Sequence, residues 1–450
     1  MLAQLHRKLP TFWIVWVVAL FLAGAPLTAE ESEMGWTQWR GPNGQGHSTV
    51  KHLPSEWSET SNVRWKTELP GRGWSSPVIL DGEIWVTAAI ETETSEAEAK
   101  KRLEGNTGGQ PVTLLDKVVF YAIGVDAKSG QLLHNIELMT EEDPQWVHRL
   151  NSFASPTPVI EKGRLYCHFG TFGTSRVDTT KGEVLWRNRE LPLMHENGPG
   201  SSPILWKDKI IFHGDGSDVQ FVAALQKDTG KVAWKVERSG EMNKNPQLKK
   251  AYATPAIATS NGKDQVISPG ADWLYSYDPE SGKELWKLPY ETLGFSNVPP
   301  PLIGEGMIYL TTSFMRAQML GIRHDGKSPP EIVWRYKKNV PTTPAPIAVG
   351  DRIYFSSDQG GMVTCIDAKN GVEVWKERIQ SGHYSAAPVY ADGKIYFFCR
   401  DGVTTVIKPG DQLEVVGKSK LDGKIFASAA LADESLFLRT DGALYRIAAP

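Results

Sequence analysis

A tryptophan closes a short segment of the same shape again and again along this chain, and that recurrence constrains the fold more than any single motif. Asp178, Gly182 and Trp186 set the pattern D-x3-G-x3-W, which returns at Asp278, Gly282 and Trp286 and at Asp367, Gly371 and Trp375. Gln226, Gly230 and Trp234 replace the acid, Asp126, Gly130 and His134 replace the aromatic, and Trp65 and Trp334 close looser copies. A cassette recurring about every 40–50 residues signals a repeat architecture. Each unit is too small to bury its own apolar face and has to stack on its neighbours. The 450 residues therefore encode one repeat array rather than several unrelated domains.

Every unit unrolls in the same order. A small residue and a proline precede an apolar run, as at Ser76-Pro77, Thr157-Pro158, Ser202-Pro203, Thr254-Pro255, Pro300-Pro301, Ala345-Pro346 and Ala387-Pro388. After a DG-type turn comes a β-branched and aromatic run, such as Ile353-Tyr354-Phe355, and then a third strand that ends near the cassette acid. The cassette glycine makes a hairpin, and the tryptophan lies on a fourth strand. Four short antiparallel strands per unit describe the blade of a β-propeller. Seven complete units run from Ser76 to Leu421, and an eighth opens at Ala427 without a fourth strand. Asn62–Leu69 has the fourth-strand form and no blade before it. The expectation is an all-β, eight-bladed propeller over residues 62–450 whose ring is closed by the N-terminal strand, which also removes an exposed sheet edge.

The cassette has a physical logic. Its glycine supplies the positive φ of a tight hairpin turn, and the acid beside it accepts hydrogen bonds from turn amides. The tryptophan is expected to pack against the adjacent blade, its indole N–H finding a carbonyl. Sixteen tryptophans spread this way fit architecture better than ligand contacts.

The rest of the chain sets boundaries. His6, Arg7 and Lys8 precede the apolar run Thr11–Leu22, which reads as an export signal over residues 1–29, cleaved after Ala29. Residues 30–61 carry Gly, Pro and Asn and should be irregular, with Trp36, Trp39 and Arg40 plugging one end of the ring or stapling its outside. Residues 91–116 interrupt the first blade as a solvated, protruding insertion. Cys167, Cys365 and Cys399 sit among apolar neighbours and read as buried strand thiols. A net charge of -3 offers no basic stripe, so nucleic acid is not expected as a partner.

The cassettes and the proline-led inner strands resemble the pyrroloquinoline-quinone (PQQ)-repeat propellers, over most of the chain from Trp36 onward. The resemblance implies one of two roles. Some members are quinoprotein dehydrogenases that hold PQQ and calcium on the propeller axis and oxidise alcohols or sugars; others, similar to BamB, are cofactor-free periplasmic scaffolds. The adjacent-cysteine disulfide of the alcohol dehydrogenases is missing, and no short segment forms a calcium loop. Nor is there a G-x-S-x-G elbow, an H-E-x-x-H helix or a phosphate loop. The expectation is an exported, periplasmic or secreted monomer acting as a binding or assembly scaffold of the cell envelope, without cofactor and with no catalytic or metal-binding residues. Its partner would be an envelope protein or peptide, or a polar small ligand, with membrane attachment only if the signal stays uncleaved. The alternatives are a PQQ- and calcium-dependent oxidoreductase and a polysaccharide-binding protein using Trp74, Tyr252 and Tyr384 as platforms.

The links that enter each inner strand converge near one mouth of a propeller's channel. They bring Arg72 and Trp74, His148 and Asn151, His195 and Asn197, Tyr252, Asn297, and His383 and Tyr384 to that mouth, with Arg316 and Arg400 facing it from neighbouring turns. Such a mixture of aromatic, amide and basic groups suits a polar ligand or peptide.

Overall fold

The computed structural model describes residues 35–104, 110–291 and 294–450. The expected export signal lies outside these residues. Among the described residues no helix is long and apolar enough to cross a membrane.

Eight four-stranded antiparallel sheets form the ring. Blade 1 comprises Val78–Leu80, Glu83–Glu93, Leu115–Asp126 and Leu132–Glu142. Blades 2 to 7 follow in sequence order at 159–188, 204–237, 256–289, 302–336, 347–378 and 389–420. Blade 8 takes Ala430–Ala432, Ser435–Arg439 and Ala443–Ile447 from the C-terminus and Val63–Glu68 from the N-terminal part, in the register Val63↔Ile447 to Glu68↔Ala443. The closure expected from the sequence is the one observed.

Burial separates the strands by role. The second strands are buried on both faces, as in Ile353 to Ser356 and Lys209 to Asp215. The fourth strands alternate between half-buried and exposed positions, as in Val63–Glu68 and Glu284–Pro289. First strands of neighbouring blades touch around the axis. Apolar clusters then fill the wedges between blades, for example Ile353, Phe355 and Ile366 of blade 6 against Trp334 and Tyr336 of blade 5.

The cassette tryptophan is the fastener. The Trp334 indole N–H donates to the Ala368 carbonyl of the next blade at 3.1 Å. Trp65 does the same to Ala127, Trp186 to Lys227, Trp234 to Pro279 and Trp375 to Gly410. Four of these five rings, all but Trp375, also lie under the next cassette's glycine: a Cβ on Gly371 would meet Trp334 at 2.6 Å, and one on Gly230 would meet Trp186 at 2.5 Å. Glycine is thus required twice, for φ values of +71° at both positions and for ring contact. A bulge aims the ring. Cys365 faces Trp375 while Ile366 faces Glu373, leaving Val374 extra, and the same slip precedes Trp186, Trp286 and Trp334. This explains why the extra residues Leu185, Leu285 and Val333 are exposed although apolar.

Residues 36–48 plug the ring at the far ends of the inner strands. The Ile79 and Ile160 amides donate to the Trp36 and Thr37 carbonyls, Ile303 donates to the Gln45 side chain, and His47 Nε2 lies 2.6 Å from the Ala348 carbonyl. Arg40 is fully buried, and its guanidinium donates to the Pro346 carbonyl at 2.8 Å. The segment therefore seals one end rather than stapling the outside.

Residues 91–93 and 115–116 continue the strands of blade 1, and the excursion between them carries the helix Glu96–Arg102, none of whose residues is buried. Val112–Thr113 pairs with Val147–His148, and Arg102 donates to the Leu115 carbonyl.

Trp334→Ala should lower the stability to urea by about 3–5 kcal/mol, the range for a buried large aromatic. Trp286→Ala should cost less, because the Trp286 indole bonds Gln265 of its own blade and carries no interblade lock. Equilibrium unfolding curves of the two variants check the contrast.

Candidate functional site

A cavity of about 570 Å³ opens on the axis at the end opposite the plug, and all eight blades line it. Trp39 of the plug forms its floor. A belt of hydroxyls runs along the wall, at the residue before the inner-strand proline in blades 1 to 4 and before Ala429 in blade 8. The Ser76 amide donates to Thr157 Oγ1, Thr157 to Ser202 Oγ, Ser202 to Thr254 Oγ1, Ala387 to Ser428 Oγ, and Ser428 to Ser76 Oγ. Blades 5, 6 and 7 carry Pro300, Ala345 and Ala387 at this position, so the belt is open on that side.

Above the belt, aromatic side chains and cations crowd the mouth. Trp74 stacks on Phe426 with ring centroids 4.3 Å apart, Arg72 lies over Trp74 at 5.2 Å, and Arg400 over Phe426 at 5.3 Å. Both rings remain partly exposed and line the cavity. Phe295 and Phe314 pair at 6.3 Å on the blade 5 side. Lys250 reaches the lining as a nearly buried ammonium paired with Glu196 at 3.1 Å, and burial pulls its pKa down against that partner. Burial likewise lowers the Arg400 guanidinium, whose Nε donates to Ser385 at 2.7 Å. His148 accepts the Leu150 amide on Nδ1, which places the neutral imidazole's proton on Nε2. Burial, with Arg149 and Arg400 nearby, holds its pKa below the usual histidine value.

Of the residues expected at the mouth, Trp74, His148, Asn151, Asn197, Tyr252 and Arg400 line the cavity. Two of these are occupied with holding the links: Asn151 donates to the Asn197 and Pro199 carbonyls, and Tyr252 OH to the His195 carbonyl. The others lie elsewhere. Arg72 is turned to the rim, where it donates to the Arg149 and Asn151 carbonyls and pairs with Glu91. His195 is buried against Phe172 with both ring nitrogens unpartnered. Asn297 is buried and donates to the Gly270 carbonyl and the Tyr290 hydroxyl. Tyr384 is buried with its hydroxyl on the Gln380 carbonyl, and His383 is exposed on the link outside the cavity. Arg316 borders a separate groove with Glu291, Arg335 and Lys337. The common reason is that long links spend polar side chains on their own backbone groups, which burial would otherwise orphan. Sequence reasoning missed Phe426, Lys250, Phe314 and the hydroxyl belt. The belt's signal was present, as Ser or Thr ahead of proline in blades 1 to 4.

The lining does not fit a calcium-bound quinone. A hard cation needs converging oxygens, usually with carboxylates, and the cavity wall contributes Lys250 and Arg400 but no Asp or Glu. Among the described residues no group of three His, Cys, Asp or Glu is placed to hold a metal ion. Cys167, Cys365 and Cys399 are free and buried in separate blades.

The model of the family described as outer membrane protein assembly factor BamB matches residues 123–258 and 218–449. The chain belongs to this family. Among solved structures, BamB from Moraxella catarrhalis is similar with a TM-score of 0.56 and 12% identity, over 85% of this chain and 98% of that one. A europium-containing methanol dehydrogenase gives a TM-score of 0.61 at 11% identity, over 91% of this chain and 90% of that one. The quinohemoprotein alcohol dehydrogenase of Comamonas testosteroni gives 0.60 at 10%, over 92% and 80%. At such identities the likeness is one of fold. Comparison with curated protein sequences finds no match.

The three buried histidines next to this site make a pH prediction. Burial pushes His168 and His195 down to about 3 and His213 well below its usual value. Unfolded histidine titrates near 6.5, so below that pH the unfolded chain takes up protons that the folded chain refuses. Stability should therefore be unaffected by them above about pH 6.5 and fall as pH drops, by up to about 1.4 kcal/mol per pH unit for each. Urea unfolding at pH 7.5, 6 and 5 should show a shallower fall in His195→Leu than in the parent, by about one proton.

Proposed function

We propose that this protein is an exported scaffold of the cell envelope that works without a quinone and docks a polypeptide segment at its axial mouth. The observation that carries the reading is the combination of a deep, plugged cavity with apolar tips at its entrance. Leu150 is 52% exposed, Phe314 45% and Met315 80%, although all three are large and apolar. Such clustered exposure marks an interaction site. Membership of the BamB family supports the same reading. The cationic lining counts against the dehydrogenase alternative, and the polysaccharide alternative loses one platform, because Tyr384 is buried.

Two measurements test the proposal. A photo-crosslinking residue placed at Leu150 or Phe314 in producing cells should give discrete polypeptide adducts, whereas one at the exposed Leu285 on the outer rim should give none. The purified protein, supplied with PQQ and Ca²⁺, should fail to reduce an artificial electron acceptor with alcohols or aldoses. Sustained dye reduction, or a quinone band retained through dialysis, would overturn the scaffold reading.

A further inference from the structure

The docking reading leaves open what kind of segment fits, and the donors at the mouth narrow it. Among the described residues the two terminal amino groups of Arg400 bond to no protein group, since only its Nε is engaged, by Ser385. The guanidinium carbon lies 5.3 Å from the Phe426 ring centroid, and the Nε bond to Ser385 anchors it there. Its nearest acids are otherwise committed or outward: Asp358 accepts from the Thr342 amide and hydroxyl and the Thr343 amide, and Asp401 is exposed in the turn. His148 Nε2 also carries its proton without a described partner, because Nδ1 is taken by the Leu150 amide. Arg149 stands beside it, exposed. Across the cavity Lys250 is already neutralised by Glu196 and adds no free charge.

Resting on the docking reading, we infer that the mouth selects an acidic segment, with a carboxylate seated between Arg400 and His148 and flanking apolar side chains against Leu150 and Phe314. The charged side chains that line the cavity are cationic and none is a carboxylate, which suits an anion. A planar guanidinium with two free amino groups matches a carboxylate edge on. The aromatic backing keeps water away from one side of the pair, which strengthens the attraction. A cavity of about 570 Å³ admits a few side chains of an extended chain rather than a folded element. An acidic polysaccharide would offer the same carboxylate but not the apolar side chains that the exposed Leu150 and Phe314 would cover.

Calorimetric titration of the full chain with capped hexapeptides alternating phenylalanine with aspartate, asparagine or lysine tests the inference, with polygalacturonate as the acidic sugar polymer. The aspartate peptide should bind at least tenfold more tightly than the other two, and its affinity should fall with salt. Arg400→Gln should remove that tenfold preference while leaving the melting temperature within a few degrees, and Arg400→Lys should restore part of it. Should Arg400→Gln misfold, the peptide series on the parent protein decides alone. Equal binding of the asparagine and aspartate peptides would overturn the acidic preference while leaving the docking reading intact. Tighter binding of polygalacturonate than of any peptide would overturn both.

Discussion

The structure depends on the lock between a tryptophan in one blade and a glycine in the next. A single blade exposes two apolar faces, and neither its strands nor its turns can bury them alone. The ring of Trp334 covers part of that wedge, its indole N–H ties to the Ala368 carbonyl, and Gly371 lets the turn settle onto the ring. Because acid, glycine and aromatic sit on one hairpin, a blade with the full cassette can offer a fastener to one neighbour and a seat to the other. Where the pattern weakens the joint changes character. After blade 4, Trp286 bonds Gln265 of its own blade and lies beside His324, while a Cβ on Gly326 would meet Asn261 rather than an indole.

Fastening at the outer strands leaves the axis free for other work. The inner strands need only touch, and the hydroxyl belt joins them by side chain to backbone without closing the space between them. Ring closure by Val63–Glu68 brings the preceding segment to the axis, where residues 36–48 cover one end. The cavity is therefore a cup with Trp39 in its lining, and the links that rise around its mouth set the rest of that lining. These links are free to vary because no interblade lock passes through them. Function in such a ring is decided by loops on a rigid frame.

That division explains what the sequence disclosed. The eight blades, the closing strand and the tryptophan fastening were legible because each rests on a local rule repeated many times: a glycine for positive φ, alternation on the outer strand, a proline at the start of the inner one. Ring geometry follows from such rules without knowledge of any long-range contact. The site is different. Whether Asn297 faces the axis depends on Gly270 and Tyr290, and whether His195 does depends on Phe172, partners that sequence spacing does not reveal. Phe426 escaped notice because its role is to cover Trp74, a residue at the other end of the chain. The excursion of blade 1 shows the same split, since its charged composition describes the helix Glu96–Arg102 but not the short pairing of Val112–Thr113 with Val147–His148.

The gap in the hydroxyl belt shows how the plug and the ring complete each other. Blades 5 to 7 lack the hydroxyl, and the plug makes its side-chain and strand-like contacts with those same blades. Gln45 reaches Ile303, Arg40 reaches Pro346, His47 reaches Ala348, and Ser48 donates to the Tyr390 carbonyl. Arg40 stays buried without a carboxylate, and desolvation pushes its pKa down to about 9. An unpaired buried guanidinium is costly, so a smaller apolar side chain would be cheaper if filling space were all that mattered. What an apolar residue cannot do is donate to the Gln45 and Pro346 carbonyls, which ties the plug to blade 6. The arginine thus anchors the plug and does not stand in for the belt, whose hydroxyls accept from backbone amides that a guanidinium cannot serve.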